Sequence, residues 1–168
     1  MTLMGLQASH PPLDRGFQDP PLPRQRALAV FANHCDLPTL RMLRPGFRHC
    51  FCVLGSGSTW TVCDPLKTRL EISTFSRLTE ADLASHFHER ALLVLMGEVA
   101  ADRSRRPLRL RALTCVEVVK RALNVDLPAV LTPFQLYHAL LALPPPMIPF
   151  AAYRPDNPNS KWFDSVHE

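Results

Sequence analysis

The sequence lacks the long apolar segment that a membrane helix requires, since no stretch of it reaches roughly 18–20 uninterrupted apolar residues. It also lacks the features of a secretory signal, because residues 1–5 have neither a basic region nor a long apolar core. No internal repeat is found in the sequence. We therefore expect a protein without a membrane span that stays in the cytoplasm.

A strong excess of one charge is missing as well. Charged residues make up 20% of the chain, and its net charge is +4. A dedicated nucleic-acid binder carries a larger positive excess, so we do not expect a nucleic-acid partner. The chain has 168 residues, of which 46% are hydrophobic, and this suffices for one domain with a core.

The five cysteines form no disulfide framework, because their number is odd and their spacing is irregular. Of the 17 prolines, 11 lie in residues 11–23 and 144–158, where consecutive prolines prevent regular backbone pairing. We therefore predict a single domain at residues 25–143. A mobile Pro-rich segment, 1–24, precedes it, and a Pro-rich, polar tail, 144–168, follows it.

The apolar pattern predicts an α+β fold, in which an antiparallel sheet arranged as a meander packs against helices. The Gly-Ser-Gly-Ser segment at 55–58 separates two strand-like stretches and indicates a hairpin. The predicted elements, in chain order, are helices at 24–34 and 39–43, strands at 47–54, 59–63 and 70–73, a helix at 79–90, a strand at 91–99, a strand or extended segment at 108–111, and two helices after Thr114 and Thr132.

Both late helices have clear N-terminal signals. Thr114 and Glu117 predict a capping box, which makes Cys115 the first helical residue. Thr132 and Gln135 repeat this pattern. The peptide dipoles at a helix N-terminus favour a thiolate, so Cys115 is the best candidate for a reactive cysteine. The alternative is a buried, inert cysteine, because free cysteines are among the most buried residues.

A cysteine nucleophile needs a base, and the base needs a group that orients it. His49 differs from the other histidines because it begins a strand of the predicted hairpin. If residues 55–58 form a four-residue loop, Val53 lies opposite Trp60 and His49 lies opposite Asp64. Asp64 could then fix the imidazole tautomer. The alternative for Asp64 is a role in the turn, since Asp-Pro often opens one.

These residues carry a resemblance to a known family. The strand that begins Arg48-His49-Cys50-Phe51, the strand that ends at Asp64-Pro65, and the helix that opens Thr114-Cys115-Val116-Glu117 resemble the papain-like NlpC/P60 superfamily. Because histidine precedes cysteine, the order is similar to its circularly permuted branch, which includes lecithin–retinol acyltransferase-like and YiiX-like proteins. The segment 131–137 is similar to small bacterial or phage-related members. The resemblance covers about residues 45–140.

The resemblance implies a permuted papain-like fold and a cysteine hydrolase of peptidase or amidase type, without a cofactor. It places Cys115 at the nucleophile, His49 at the base and Asp64 near the third polar position. The implied substrate is an amide, such as a peptide or a cell-wall fragment, and acyl transfer stays open. A phage-associated location also stays open.

Two other interpretations compete with catalysis. A zinc site could use His49, Cys50, Cys52 and Cys63, but His49 should point to the opposite face of the sheet from the two nearer cysteines. The other is an inactive papain-like protein with a binding or structural role. An acidic partner could then meet the positive stretch formed by Arg103, Arg105, Arg106, Arg109, Arg111, Lys120 and Arg121.

Overall fold

The computed structural model describes residues 24–34, 38–90, 92–100, 113–144 and 149–155. The strands are β1 (Arg24–Ala32), β2 (His49–Ser56), β3 (Thr59–Pro65), β4 (Leu70–Ser76), β5 (Leu93–Ala100) and β6 (Ala151–Ala152). The α-helices in these residues are α1 (Glu80–His88), α2 (Cys115–Ala122) and α3 (Pro133–Leu141), and Pro38–Met42 forms a 3₁₀ helix.

The described strands form one antiparallel sheet in the order β4-β3-β2-β1-β5-β6. The first four strands follow one another as a meander, and β5 returns along the free side of β1 after α1. The predicted α+β class with an antiparallel sheet is therefore confirmed. The β2–β3 hairpin turns at Gly57, whose φ of 60° lies in the left-handed region that glycine adopts without strain.

The helix predicted at 24–34 is wrong, because this segment forms β1 at the centre of the sheet. Every residue from Ala27 to Ala32 is fully buried. A strand covered on both faces shows a continuous apolar run instead of alternation, so its periodicity does not distinguish it from a buried helix. The strands predicted at 47–54, 59–63, 70–73 and 91–99 correspond to β2, β3, β4 and β5.

Helices cover both faces of the sheet. On the first face, α2 and α3 pack through Val116, Val119 and Leu136 against the side chains of Phe31 and Cys50. On the second face, α1 packs through residues such as Leu83 against a cluster that includes Leu28, Val30, Phe51 and Trp60. Neighbouring residues of β2 thus contribute to opposite layers, as strand alternation requires.

The folded part extends beyond the boundary predicted at residue 143. Ala151 and Ala152 pair with β5, and Phe150 is buried against the sheet. The backbone of Gly97 admits this ring, since a Cβ there would lie 2.7 Å from it. The strand or extended segment predicted at 108–111 lies outside the described residues. Within the described part of the chain, every helix is too short or too polar to span a bilayer.

Candidate active site

The β2–β3 hairpin brings His49 and Asp64 into contact, although its register differs from the predicted one. Val53 pairs with Val62 instead of Trp60, a shift of two residues. Continuing this register places Asp64 next to Phe51 and diagonal to His49. Because side chains alternate with a period of two, the shift keeps both on one face. The Nε2 atom of His49 lies 2.6 Å from Oδ1 of Asp64.

Cys115 is the first residue of α2, as predicted. The Thr114 hydroxyl accepts a hydrogen bond of 3.2 Å from the Glu117 amide. The Glu117 carboxylate binds Lys120 and Arg121, at 2.9 and 3.2 Å, so among the described contacts only the threonine half of the predicted capping box forms. The helix start still fixes the Cys115 thiol at the positive end of the peptide dipoles.

Cys115 packs against the cluster that contains the buried Cys50, and the pKa of its thiol responds to the side chains of His49 and Cys50 and to the Cys50 backbone. Pairing between β1 and β2 continues to His49, whereas pairing between β2 and β3 stops at Cys52 and Cys63. At this end of β2 the strand pairs with β1 but no longer with β3. The side chains of His49 and Cys50, from opposite faces of the strand, can therefore both approach the Cys115 sulfur.

These contacts move the pKa values of Cys115 and His49 in opposite directions. The hydrogen bond from the Cys50 thiol lowers the pKa of Cys115 most; burial opposes it, and the charge of His49 adds to it, for a final value of about 5. Burial alone would lower the pKa of His49. Contacts with Asp64 and Cys115 outweigh it and raise the pKa to about 9. Between these two values the pair is a thiolate and an imidazolium.

Cys50 is a member of this group that the sequence pattern did not reveal. It is 1% exposed, and burial together with the Cys115 charge raises the pKa of its thiol well above the ordinary range. A second thiol pair lies further along the hairpin, where Cys52 stands opposite Cys63. The hydrogen bond between them lowers the pKa of Cys63 to about 7 and raises that of Cys52. In the sequence, the one feature that could have indicated this contact is the position of Cys50 directly after the candidate base, His49.

A pocket on the face that α1 covers reaches the group at Asp64, and its lining includes neither Cys115 nor His49. Its volume is about 340 Å³, and Asp64 forms part of its wall. Most of the lining is apolar and includes Phe51, Val62, Phe75 and Phe87. Asp64 therefore faces both the imidazole of His49 and a cavity that can hold a small apolar group.

The structure bears on the zinc site that competes with catalysis. His49 and Cys50 both reach Cys115, so the strand-alternation argument against a zinc site does not hold at this end of β2. The described residues nevertheless contain no group of three or more His, Cys, Asp or Glu side chains that could hold a metal ion.

Lys120 does not belong to an exposed basic surface. It is 4% exposed, and its ammonium group binds the carboxylate of Glu117 and the carbonyl oxygens of Leu127 and Val130. Arg121, at the end of the same stretch, also binds Glu117. The five arginines in residues 103–111 lie outside the described residues, so the binding of an acidic partner there stays a prediction.

Comparisons with protein-family models, curated proteins and solved structures found no match for this chain.

Proposed function

We propose that this protein is a cysteine hydrolase of peptidase or amidase type, with a permuted papain-like arrangement of its site. The observation that carries the proposal is the chain of contacts from Cys115 to His49 to Asp64 at the start of a helix. The parts of a thiol hydrolase are a nucleophile, a base and a group that orients the base. In this proposal Cys115, His49 and Asp64 fill these roles in that order.

The two shifted pKa values define the first step of the proposed reaction. Because the proton already lies on His49 near neutral pH, the Cys115 thiolate attacks the carbonyl carbon directly. The oxyanion accepts a hydrogen bond from the Cys115 amide, since the first amides of a helix have no intrahelical acceptor. His49 then gives its proton to the leaving amine, and the C–N bond breaks to leave a thioester on Cys115.

Hydrolysis of the thioester returns the site to its starting state. Neutral His49 takes a proton from water, and the hydroxide attacks the acyl carbon. The C–S bond breaks, the acid leaves, and Cys115 becomes a thiolate beside a protonated His49. Asp64 stabilises this protonated imidazole through its contact of 2.6 Å. An acceptor other than water would turn the same intermediate into acyl transfer.

The apolar pocket favours one kind of substrate within this class. A cavity of about 340 Å³ holds a large side chain or a short acyl group, and its lining gains free energy by contact with apolar atoms. We therefore propose an amide substrate that also carries an apolar group within reach of Asp64, such as an apolar peptide residue.

The test is turnover of a peptide-amide library by the wild type and by Cys115→Ala, His49→Gln and Asp64→Asn variants. Cleavage that is lost in the first two variants, and that favours apolar residues, supports the proposal. The matched control is Cys63→Ser, because Cys63 is another partly exposed thiol with a lowered pKa that does not contact His49 in the described contacts. Unchanged cleavage by the Cys115 variant would contradict the proposal.

Filling the pocket separates substrate preference from chemistry. Val62→Trp replaces an isopropyl group in the pocket wall with an indole ring and leaves Cys115 and His49 in the sequence unchanged. We expect KM for apolar substrates to rise, whereas the pH midpoint of Cys115 alkylation stays at the wild-type value. An active protein whose preference does not change would show that the apolar group binds elsewhere.

If no thioester forms on Cys115, an inactive protein with a binding or structural role is favoured instead. Mass spectrometry of the protein after incubation with an activated thioester or ester substrate detects the acyl group directly. A protein that is acylated at Cys115 but transfers the group to an added amine faster than to water is an acyltransferase.

A further inference from the structure

The nucleophile of the proposed site has a second thiol in direct contact. Cys50 belongs to the buried cluster against which Cys115 packs, and both its thiol and its backbone act on the pKa of Cys115. Cys50 is 1% exposed on β2, whereas Cys115 is only partly buried at the start of α2. An oxidant from solution therefore meets Cys115 first, and Cys50 is already beside it.

We propose that Cys50 is a resolving thiol, which forms a reversible disulfide with Cys115 after hydrogen peroxide oxidises Cys115. In the first step the Cys115 thiolate attacks one peroxide oxygen and the O–O bond breaks; the leaving hydroxide takes the proton of the protonated His49, so that a sulfenic acid and water result. In the second step the Cys50 sulfur attacks the Cys115 sulfur. The S–O bond breaks, the S–S bond forms, and the hydroxyl group leaves as water with the proton of the Cys50 thiol.

The surroundings of Cys50 make it a partner for the oxidised Cys115 rather than a competing target. Burial and the negative charge of Cys115 raise the pKa of Cys50, so peroxide finds a thiolate at Cys115 and a neutral thiol at Cys50. Oxidation of Cys115 removes that negative charge. One cause of the raised pKa of Cys50 then disappears, at the step where Cys50 must act as a nucleophile.

The other cysteines near the site are arranged as a separate pair. Cys52 follows Cys50 on the same face of β2, but its thiol makes a hydrogen bond with Cys63 across the hairpin. The four described cysteines are all free thiols and divide into two contacting pairs. Contact geometry therefore selects Cys50, and not Cys52, as the partner of Cys115.

The disulfide has a consequence for the proposed hydrolase, on which this regulatory role rests. It blocks the nucleophile while the oxidant is present, and a thiol reductant restores it. It also protects Cys115, because a sulfenic acid without a resolving thiol proceeds to sulfinic acid, which is irreversible in most proteins.

The experiment maps disulfides in the folded protein after a pulse of hydrogen peroxide and rapid alkylation. In the wild type we expect loss of two hydrogens, a peptide that joins Cys50 to Cys115, and full return of both thiols after dithiothreitol. This readout needs no substrate. Its failure therefore differs from failure of the hydrolase proposal, which is measured as peptide cleavage.

Two serine variants provide the comparison. Cys50→Ser keeps a hydrogen-bond donor beside Cys115 but cannot form the disulfide, so we expect a dimedone adduct and then a sulfinic acid at Cys115. Cys52→Ser, two residues along the same buried face, should still form the joined peptide. The wild-type measurement decides the proposal even if Cys50→Ser fails to fold. A persistent sulfenic acid at Cys115 in the wild type, or a disulfide joining only Cys52 to Cys63, would overturn the proposal.

Discussion

Replacement of His49 with glutamine removes the cation beside Cys115 and leaves a side chain that can still donate a hydrogen bond. In the wild type the pKa of Cys115 is lowered to about 5, and the imidazole supplies part of that change. Loss of an adjacent opposite charge shifts a pKa by about one to three units. We therefore expect the pH midpoint of Cys115 alkylation to rise by about that amount in His49→Gln.

The lowered pKa changes the alkylation rate of Cys115, relative to a thiol at the ordinary pKa, by an amount that depends on the pH of the measurement. At pH 5 a thiol with a pKa of about 5 has roughly 5,000 times more thiolate than one at the ordinary value of 9.0. A lower pKa also weakens the nucleophile, by about 40- to 100-fold over this range. Alkylation of Cys115 is therefore faster than that of a thiol with the ordinary pKa by roughly 50- to 130-fold at pH 5, and by only about one- to threefold at pH 7.

The assay is the rate of iodoacetamide labelling from pH 4 to 10, resolved for each cysteine by peptide mapping. Resolution by residue is necessary because Cys63, with a pKa lowered to about 7, also reacts below the ordinary range. The Cys63→Ser variant removes this second signal and should leave the Cys115 profile unchanged.

Two results would refute the reasoning about Cys115. One is a wild-type midpoint near 9 that His49→Gln does not move, since the imidazolium would then have no influence on the thiol. The other is a Cys115 that stays unlabelled until the protein unfolds, because the thiolate would then be inaccessible to any substrate.

Three further predictions concern the same residues and the neighbouring helix. Asp64→Asn removes a group that raises the pKa of His49, so the imidazole NMR titration midpoint should fall from about 9; an unchanged midpoint would contradict the contact. The folded pKa of His49 lies above its ordinary 6.5 and that of Cys115 below its ordinary 9.0. The histidine contribution to stability is thus lost as pH rises through about 9, and the cysteine contribution is lost as pH falls through about 5. From pH 5 to 6.5 the unfolded state binds one more proton than the folded state, so stability in urea titrations should rise with pH. From pH 6.5 to 9 this pair binds equal numbers of protons in both states, so stability should stay level in the Cys63→Ser variant, which lacks the other thiol with a lowered pKa; a steady slope across both ranges in that variant would argue against the ion pair. Lys120→Met should cost about 3 kcal/mol in urea unfolding because it breaks a buried ion pair, whereas Arg121→Met should cost under about 1 kcal/mol; equal losses would contradict this account.

Strand alternation explains why a contact could be predicted from a register that was wrong. The sequence predicted His49 opposite Asp64 across a four-residue loop, whereas the chain turns at Gly57 and the register shifts by two. A shift of an even number keeps side chains on the same face, and the long imidazole reaches its diagonal neighbour. The face was therefore determined by the sequence, and the exact partner by the turn.

The central strand shows where local patterns carry too little information. The segment 24–34 has apolar spacings that suit a helix, but it pairs with β2 and β5 and is buried on both faces. Its conformation depends on hydrogen bonds with two strands that lie more than 15 residues away in the chain. No pattern within the segment contains that information.

The sequence by itself determined the local features of the candidate site. Thr114 caps a helix and Cys115 opens it because capping depends on a few consecutive residues. Thr79 and Thr132 cap their helices for the same reason. Only the tertiary structure decided that the Cys115 sulfur contacts His49 and Cys50 together. Those two residues point to opposite faces in a regular strand, and they meet one thiol because the β2–β3 ladder ends before it reaches them.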